Sequence, residues 1–217
     1  MKDYRILFTK TGSVKYISHL DLNRCMIRAI RRSGLPAWYT EGFHPHLYLM
    51  FPLALSLGAE SVCECMDFRL TQELPAEEIL ARLNAALPPG LEALRVGEPL
   101  HEAVEIGAAV YEITLAGKDL QPVWEAFLAQ PEIPVEKKTK KGMKTIDIRP
   151  QITQEAMSAA DGMLHLTLRL PAGNEGNLNA SVVTDAFVSY AAGQNVPVLC
   201  RQILRTKIFC LDGKDFF

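Results

Sequence analysis

The stretch Ser18-His-Leu-Asp-Leu-Asn-Arg-Cys-Met-Ile-Arg-Ala-Ile-Arg-Arg32 contains the signals of a whole helix, from its cap to its last turn. Ser18 fits the N-cap position, and Asp21 follows three residues later, where its carboxylate can reach back to the amide of the cap. Gly34 supplies a C-terminal stop. These local signals predict a helix over residues 19–33.

The predicted helix has two faces of opposite character. The apolar stripe, at helical spacing, consists of Leu22, Cys25, Met26, Ala29 and Ile30. The opposite side carries four guanidiniums at i, i+4, i+7 and i+8, namely Arg24, Arg28, Arg31 and Arg32. Only Asp21 is near enough in sequence to neutralise them, which favours an anionic partner such as phosphate, because the planar guanidinium fork suits it. The alternative is a solvated face whose acidic neighbours come from elsewhere in the fold.

Outward from this helix, the pattern of residues 1–98 indicates one β-α-β-β-α-β unit. We expect strands at 4–9, near 37–40, near 47–55, at 61–70 and at 91–97, and a second helix that begins at Pro75. This order is the ferredoxin-like arrangement, with one extra short strand after the first helix.

A second unit of the same order is predicted over residues 108–212, after a polar linker at 98–108. Its elements are a strand at 109–116, a helix capped by Asp119, strands near 132–139, 145–154 and 162–170, a helix near 181–191 and a strand near 200–210. A loop rich in glycine and asparagine, Ala172 to Asn179, precedes the second of these helices. The predicted fold class is therefore α+β, with two tandem ferredoxin-like units.

Positive charge is concentrated in two basic islands, although the net charge of −2 argues against a general nucleic-acid binder. Residues 1–32 hold eight Lys or Arg against two Asp, and residues 136–149 hold six against one Glu and one Asp. The second island is predicted to be a β-hairpin with Gly142 near its tip. Its lysines either contact phosphates or protect an exposed sheet edge against aggregation. The candidate RNA or phosphate ligands are Lys15, Arg24, Arg28, Arg31, Arg32, Lys137, Lys138, Lys140, Lys141, Lys144 and Arg149.

Three histidines of the first unit are the candidate catalytic residues. His19 stands at the start of the first helix, and His44 and His46 flank a proline in a loop. Imidazoles in such a loop can serve a metal, a phosphate or a proton transfer, but most polar loop histidines only form hydrogen bonds. We therefore predict no metal site. No P-loop, dinucleotide fingerprint, nucleophile elbow or metalloprotease motif is present, so no cofactor is expected either.

The five cysteines form no C-x-x-C pair, which favours reduced thiols over a disulfide framework or a zinc ribbon. Cys63 and Cys65 lie two apart in a predicted strand and face the same side, and we interpret them as small buried side chains rather than as metal ligands. No apolar run approaches the roughly 20 residues that span a bilayer, and the N-terminus lacks a secretory signal. We expect a soluble cytoplasmic protein with no membrane partner.

Several motifs resemble the radical-SAM-linked proteins, a family without an established activity. The resemblance is carried by Lys15-Tyr-Ile-Ser-His-Leu-Asp-Leu22, Gly42-Phe-His-Pro-His46, Pro52 to Ser61, Lys137 to Pro150, Gly176 to Asn179 and Leu204 to Thr206. Leu47 and Ala180 stand where proline is usual. The resemblance implies a radical-SAM partner protein that performs the chemistry, with this chain as the accessory part.

Two functions from different classes follow as expectations. The first is a non-catalytic accessory protein that binds or presents RNA, such as tRNA or rRNA, to a radical-SAM enzyme. The second is a metal-independent RNA endonuclease, because paired ferredoxin-like units with a basic face and a histidine at the first helix resemble the RAMP-type proteins that process CRISPR RNA. That second likeness is one of fold and charge alone.

Overall fold

The chain is organised as two compact units. The computed structural model describes residues 1–139 and 142–217, without the side chains of residues 137–139. The first unit contains Met1–Ile106 together with Ile208–Phe217, and the second contains Gly107–Lys207. Residues 98–106 thus belong to the first unit and are not a linker. No helix in this described part of the chain is long and apolar enough to cross a membrane.

The first unit is built on an antiparallel sheet. Its elements are β1 (Lys2–Lys10), α1 (His19–Arg32), β2 (Leu49–Met50), β3 (Glu60–Leu70), α2 (Ala76–Asn84) and β4 (Leu91–Gly97), with 3₁₀ turns at Gly12–Tyr16 and Ala103–Glu105. The strand order is β4-β1-β3-β2, and each of these neighbours is antiparallel. The first unit thus has a mixed helix and sheet architecture, which agrees with the predicted α+β class.

The first helix forms where the sequence predicts it. Ser18 has an extended backbone, and its Oγ accepts a hydrogen bond from the Asp21 amide at 3.1 Å and donates one to the Asp21 carboxylate at 2.7 Å. The hydrogen bond from Ser18 to the carboxylate lowers the pKa of Asp21, and the contact of the same carboxylate with Arg24 lowers it further. Met26 and Ile30 are fully buried, and each contributes about 1.5–3 kcal/mol by leaving water.

Two predicted strands of this unit are wrong. Residues 37–40 form only isolated bridges, Ala37 to Leu70 and Tyr39 to Leu47. The strand expected at 47–55 is reduced to Leu49–Met50. Pro52 follows it directly and has no amide hydrogen to donate to a ladder, so the chain leaves the sheet at that point.

One face of β1 carries a buried ion pair. Arg5 is 1% exposed, and its Nε and Nη2 donate to the two carboxylate oxygens of Asp67 on β3 at 2.6 and 2.8 Å. The same guanidinium donates to the carbonyls of His101 at 2.9 Å and Phe216 at 3.3 Å, and its Cζ lies 4.1 Å from the Phe216 ring centroid. The segments 98–106 and 208–217 therefore bury this charge within the first unit.

The second unit repeats the order of elements with one insertion. Its elements are β5 (Ile106–Ala116), α3 (Leu120–Leu128), β6 (Pro134–Thr139), β7 (Gly142–Asp147), a 3₁₀ turn (Arg149–Gln151), β8 (Thr153–Ala160), β9 (Met163–Pro171), α4 (Ala180–Gly193) and β10 (Cys200–Cys210). The sheet order is β10-β5-β9-β8, and β6 with β7 forms a separate two-stranded sheet. The single strand expected at 145–154 is wrong, because Pro150 lies in the turn that divides it.

An aromatic cluster joins the helices of the second unit. Trp124 lies 5.4 Å from Phe127 and 5.0 Å from Phe187 between ring centroids, and its indole N–H donates to Gln154 at 2.7 Å. Asp119 occupies the predicted cap position of α3, but its side chain makes no capping bond because its backbone is left-handed, with φ 56°, rather than extended.

Candidate nucleic-acid interface

The four arginines of α1, which we call the arginine face, are all exposed. Arg24 contacts Asp21 at 3.3 Å, and Arg32 donates to the Ala86 carbonyl at 2.6 Å. No side chain within 1–139 or 142–217 gives the Arg28 guanidinium a hydrogen bond or an ion pair. Among the residues that the structure describes, Asp21 is the only carboxylate that forms an ion pair with any of the four guanidiniums.

The rest of the N-terminal basic island contributes less free charge than its sequence suggests. Arg5 and Lys10 are buried, and the Lys10 ammonium donates to the Lys15 carbonyl at 3.2 Å. Lys2 is paired with Glu98. Lys15 lies 3.7 Å from Glu60 and 5.5 Å from the Tyr16 ring centroid. The exposed charge of this island is therefore concentrated on the arginine face.

The loop at residues 40–46 follows directly after Tyr39, and Tyr39 contacts the arginine face. Arg31 Nε donates to the Tyr39 hydroxyl at 3.2 Å, and its Cζ lies 5.8 Å from the centre of that ring. Beyond Tyr39, the Thr40 amide donates to the His46 carbonyl at 2.8 Å, and the His46 amide donates to Thr40 Oγ1 at 3.1 Å. Phe43, within this 40–46 loop, is fully exposed. The interface thus combines guanidiniums with aromatic rings.

The candidate histidines occupy two places. His19 opens α1, and its ring centroid is 5.1 Å from that of Phe51. His44 and His46 share the 40–46 loop, where His46 Nδ1 lies 2.9 Å from Thr40 Oγ1 and 3.3 Å from the His44 carbonyl. No hydrogen bond or ring contact of the described residues joins His19 to the other two, so their proximity stays a prediction. The described side chains contain no group of three or more His, Cys, Asp or Glu placed to hold a metal.

The second basic island forms the predicted hairpin. Lys137 pairs in backbone register with Lys144, which is exposed. Lys138 also lies in β6, whereas Lys140 and Lys141 fall outside the described residues. Arg149 is half-buried, and its Nε donates to the Leu128 carbonyl at the end of α3 at 2.5 Å. Arg149 thus contributes to the fold of this unit.

The five thiols differ in exposure, since three are buried, Cys25 is half-buried and Cys200 is exposed. Cys63 and Cys65 are buried in β3, and burial raises the pKa of Cys65 to about 12. Cys200 is exposed. A buried thiol with a raised pKa holds almost no thiolate at neutral pH, and the thiolate is the reactive form.

We therefore expect iodoacetamide to modify Cys200 at least about 100-fold faster than Cys65 in the folded protein at neutral pH. Timed labelling followed by peptide mass spectrometry measures both rates. In denaturant the two rates should converge, which controls for sequence context. Comparable rates in the folded protein would contradict the burial of Cys65.

Tyr39 and Phe43 are residues of the candidate interface that the sequence did not indicate. The charge pattern points to arginines and lysines, and the hairpin itself has no aromatic residue for stacking on bases. The signal that was available is an aromatic residue next to glycine in a polar loop, Gly42-Phe43, where burial in a strand or helix is not expected. The contact of Tyr39 with Arg31 on α1, by contrast, depends on the fold.

The family comparison covers most of this interface. A family model described as "Uncharacterized protein conserved in bacteria (DUF2344)" matches residues 3–180. The chain belongs to the DUF2344 family. This DUF2344 match includes α1, the 40–46 loop and the β6–β7 hairpin, and its description mentions no radical-SAM enzyme. No curated protein matches the chain.

Proposed function

We propose that this chain is a non-catalytic accessory protein that binds RNA, such as tRNA or rRNA, and presents it to a radical-SAM enzyme. The observation that carries the proposal is the arginine face, where four exposed guanidiniums have one carboxylate among them. An RNA backbone supplies the missing negative charge. The β6–β7 hairpin, with Lys144 exposed, offers a second cationic surface.

Phosphate is the ligand that fits this face best. Among the described residues, none forms a hydrogen bond or an ion pair with the Arg28 guanidinium. Arg24 forms one exposed ion pair, with Asp21, and such a pair stabilises a protein by at most about 1 kcal/mol. Both guanidiniums can therefore exchange water for phosphate at little cost. A guanidinium binds phosphate through two parallel hydrogen bonds, which adds orientation to the charge interaction.

The radical-SAM part of the proposal is supported by where the resembling motifs lie. Lys15 to Leu22 opens α1, and Gly42 to His46 belongs to the 40–46 loop. Two of the segments that resemble the radical-SAM-linked proteins therefore lie at the start of the helix that carries the arginine face and in the loop next to it. A shared surface of this kind suits substrate presentation to a partner enzyme.

We also propose that both units have the ferredoxin-like fold. The order β4-β1-β3-β2 in the first unit and the order β10-β5-β9-β8 in the second support this interpretation. Each places the first strand of its β-α-β-β-α-β series between the fourth and the third. In the second unit the hairpin β6–β7 is then an insertion between the first helix and the second strand.

One observation favours the endonuclease as a second candidate. Thr40 Oγ1 and the His44 carbonyl both contact Nδ1 of His46, which leaves Nε2 of an exposed ring available to solvent. An imidazole held in this way suits a general acid or base acting on a ribose 2′-hydroxyl, a contribution of about 10²- to 10⁴-fold in rate.

The test is to incubate the full chain with end-labelled tRNA and rRNA fragments in chelator, and to measure both binding and RNA integrity. We expect binding by fluorescence anisotropy, with affinity that falls steeply as salt increases, and intact RNA on a gel. Cleavage that His46→Ala abolishes would establish the endonuclease instead. No binding at low salt would overturn the proposal.

A further inference from the structure

We propose that Phe43 and Tyr39 form a stacking platform for unpaired bases, so that the RNA bound by the first unit is single-stranded or looped rather than duplex. This inference rests on the proposed RNA-binding function and specifies its substrate class. Its basis is a fully exposed ring, that of Phe43, on a loop tied to the arginine face.

Backbone hydrogen bonds anchor the residues on both sides of the loop that carries Phe43. The Trp38 amide donates to the Arg69 carbonyl at 2.9 Å, and the Tyr48 amide donates to the Trp38 carbonyl at 3.2 Å. The Arg69 guanidinium lies 5.0 Å from the centroid of each of the two rings. The ends of the loop are thus tied to β3, so the loop can present Phe43 with little further loss of conformational entropy on binding.

The charges around the platform separate the two parts of a nucleotide. Arg31 contacts Tyr39 and places positive charge at the base of the loop, where a phosphate fits. Glu41 is exposed two residues before Phe43, and its carboxylate disfavours phosphate at that end. The aromatic tip is therefore suited to the base of a nucleotide and the arginine face to its backbone.

This arrangement distinguishes unpaired from paired RNA. In an A-form helix the bases are stacked inside, and proteins recognise its shape and backbone, whereas unpaired bases can splay out onto aromatic rings. Base–aromatic stacking is sequence-tolerant, since every base has a π-face. A protein that bound duplex through phosphates alone would gain nothing from an exposed Phe43.

The experiment compares a fluorescein-labelled, mixed-sequence RNA of about 12 nucleotides with the same strand annealed to its complement. The full chain, Phe43→Ala and Phe43→Trp are titrated against both probes over a salt series. We expect the single strand to bind more tightly, Phe43→Ala to weaken single-strand binding by about 5- to 100-fold, and Phe43→Trp to restore it. The slope of affinity against salt should be unchanged in Phe43→Ala, because no phosphate contact is lost.

The matched control is Leu199→Ala, which removes an exposed apolar side chain from the second unit and should leave both affinities unchanged. Equal binding of single strand and duplex, or unaltered single-strand affinity in Phe43→Ala, would overturn the inference while leaving RNA binding intact. Failure of the wild type to bind either probe would instead refute the proposed function.

Discussion

The double variant Arg24→Glu/Arg28→Glu is expected to bind RNA at least about 100-fold more weakly than the wild type. Both guanidiniums are exposed, and a charge-assisted hydrogen bond contributes about 1.5–3 kcal/mol. Glutamate removes two such contacts and adds repulsion toward phosphate. Anisotropy titration with labelled tRNA over a salt series should also show a slope shallower by about 1 to 2 units, since fewer counterions are released.

The control for this prediction is Lys118→Glu/Lys207→Glu, which changes the net charge equally at two exposed lysines outside both basic islands. We expect at most a few-fold loss of affinity there. Circular dichroism should show that both variants remain folded, because α1 packs through its opposite, apolar side. Equal losses in the two double variants would mean that overall charge, and not the arginine face, determines binding.

Asp67→Ala is expected to destabilise the first unit by about 3–5 kcal/mol. The substitution leaves the Arg5 guanidinium buried without its carboxylate, and the carbonyls of His101 and Phe216 cannot neutralise it. Since whole domains are stable by only about 5–15 kcal/mol, this loss is a large fraction of the total. Urea denaturation, combined with hydrogen exchange of the β1 amides, measures the effect and assigns it to the first unit.

Asp3→Ala provides the matched comparison for Asp67→Ala. Asp3 lies on β1 and accepts two hydrogen bonds from Arg69 on β3, at 2.6 and 3.0 Å. This pair is partly exposed, with 29% of the Arg69 side chain and 46% of the Asp3 side chain accessible. Such pairs contribute about 1 kcal/mol or less. If the two variants lose the same stability, burial of the Arg5–Asp67 pair is not what makes it important.

Local signals explain the parts of the fold that the sequence predicts well. The Ser18 cap and the apolar stripe through Met26 and Ile30 depend only on residues within a few turns, so the bounds of α1 agree with the prediction to one residue. Pro52 and Pro150 are equally local, but their effect on the neighbouring strands depends on which partners the sheet offers. The two long strands that were predicted to run through these prolines, at 47–55 and at 145–154, are therefore wrong.

The candidate site likewise has features that the local sequence predicts and features that depend on distant segments. Helical spacing alone places the four arginines on one face, and the structure confirms that they are exposed. Burial of Arg5 and Lys10, by contrast, depends on segments distant in sequence, so a count of charges along the chain overstates the first basic island. The contact between Arg31 and Tyr39 is likewise absent from any local pattern, because it joins a helix to a loop that returns to it.

The membership of Ile208–Phe217 in the first unit has a consequence for synthesis on the ribosome. Residues 1–106 are made before the second unit, but the Phe216 ring that covers Arg5 is made after it. At about 5–20 residues per second, translation delays that contact by roughly 5 to 20 s. Until residues 208–217 have been made, the Arg5–Asp67 pair of the nascent first unit therefore stays accessible to water.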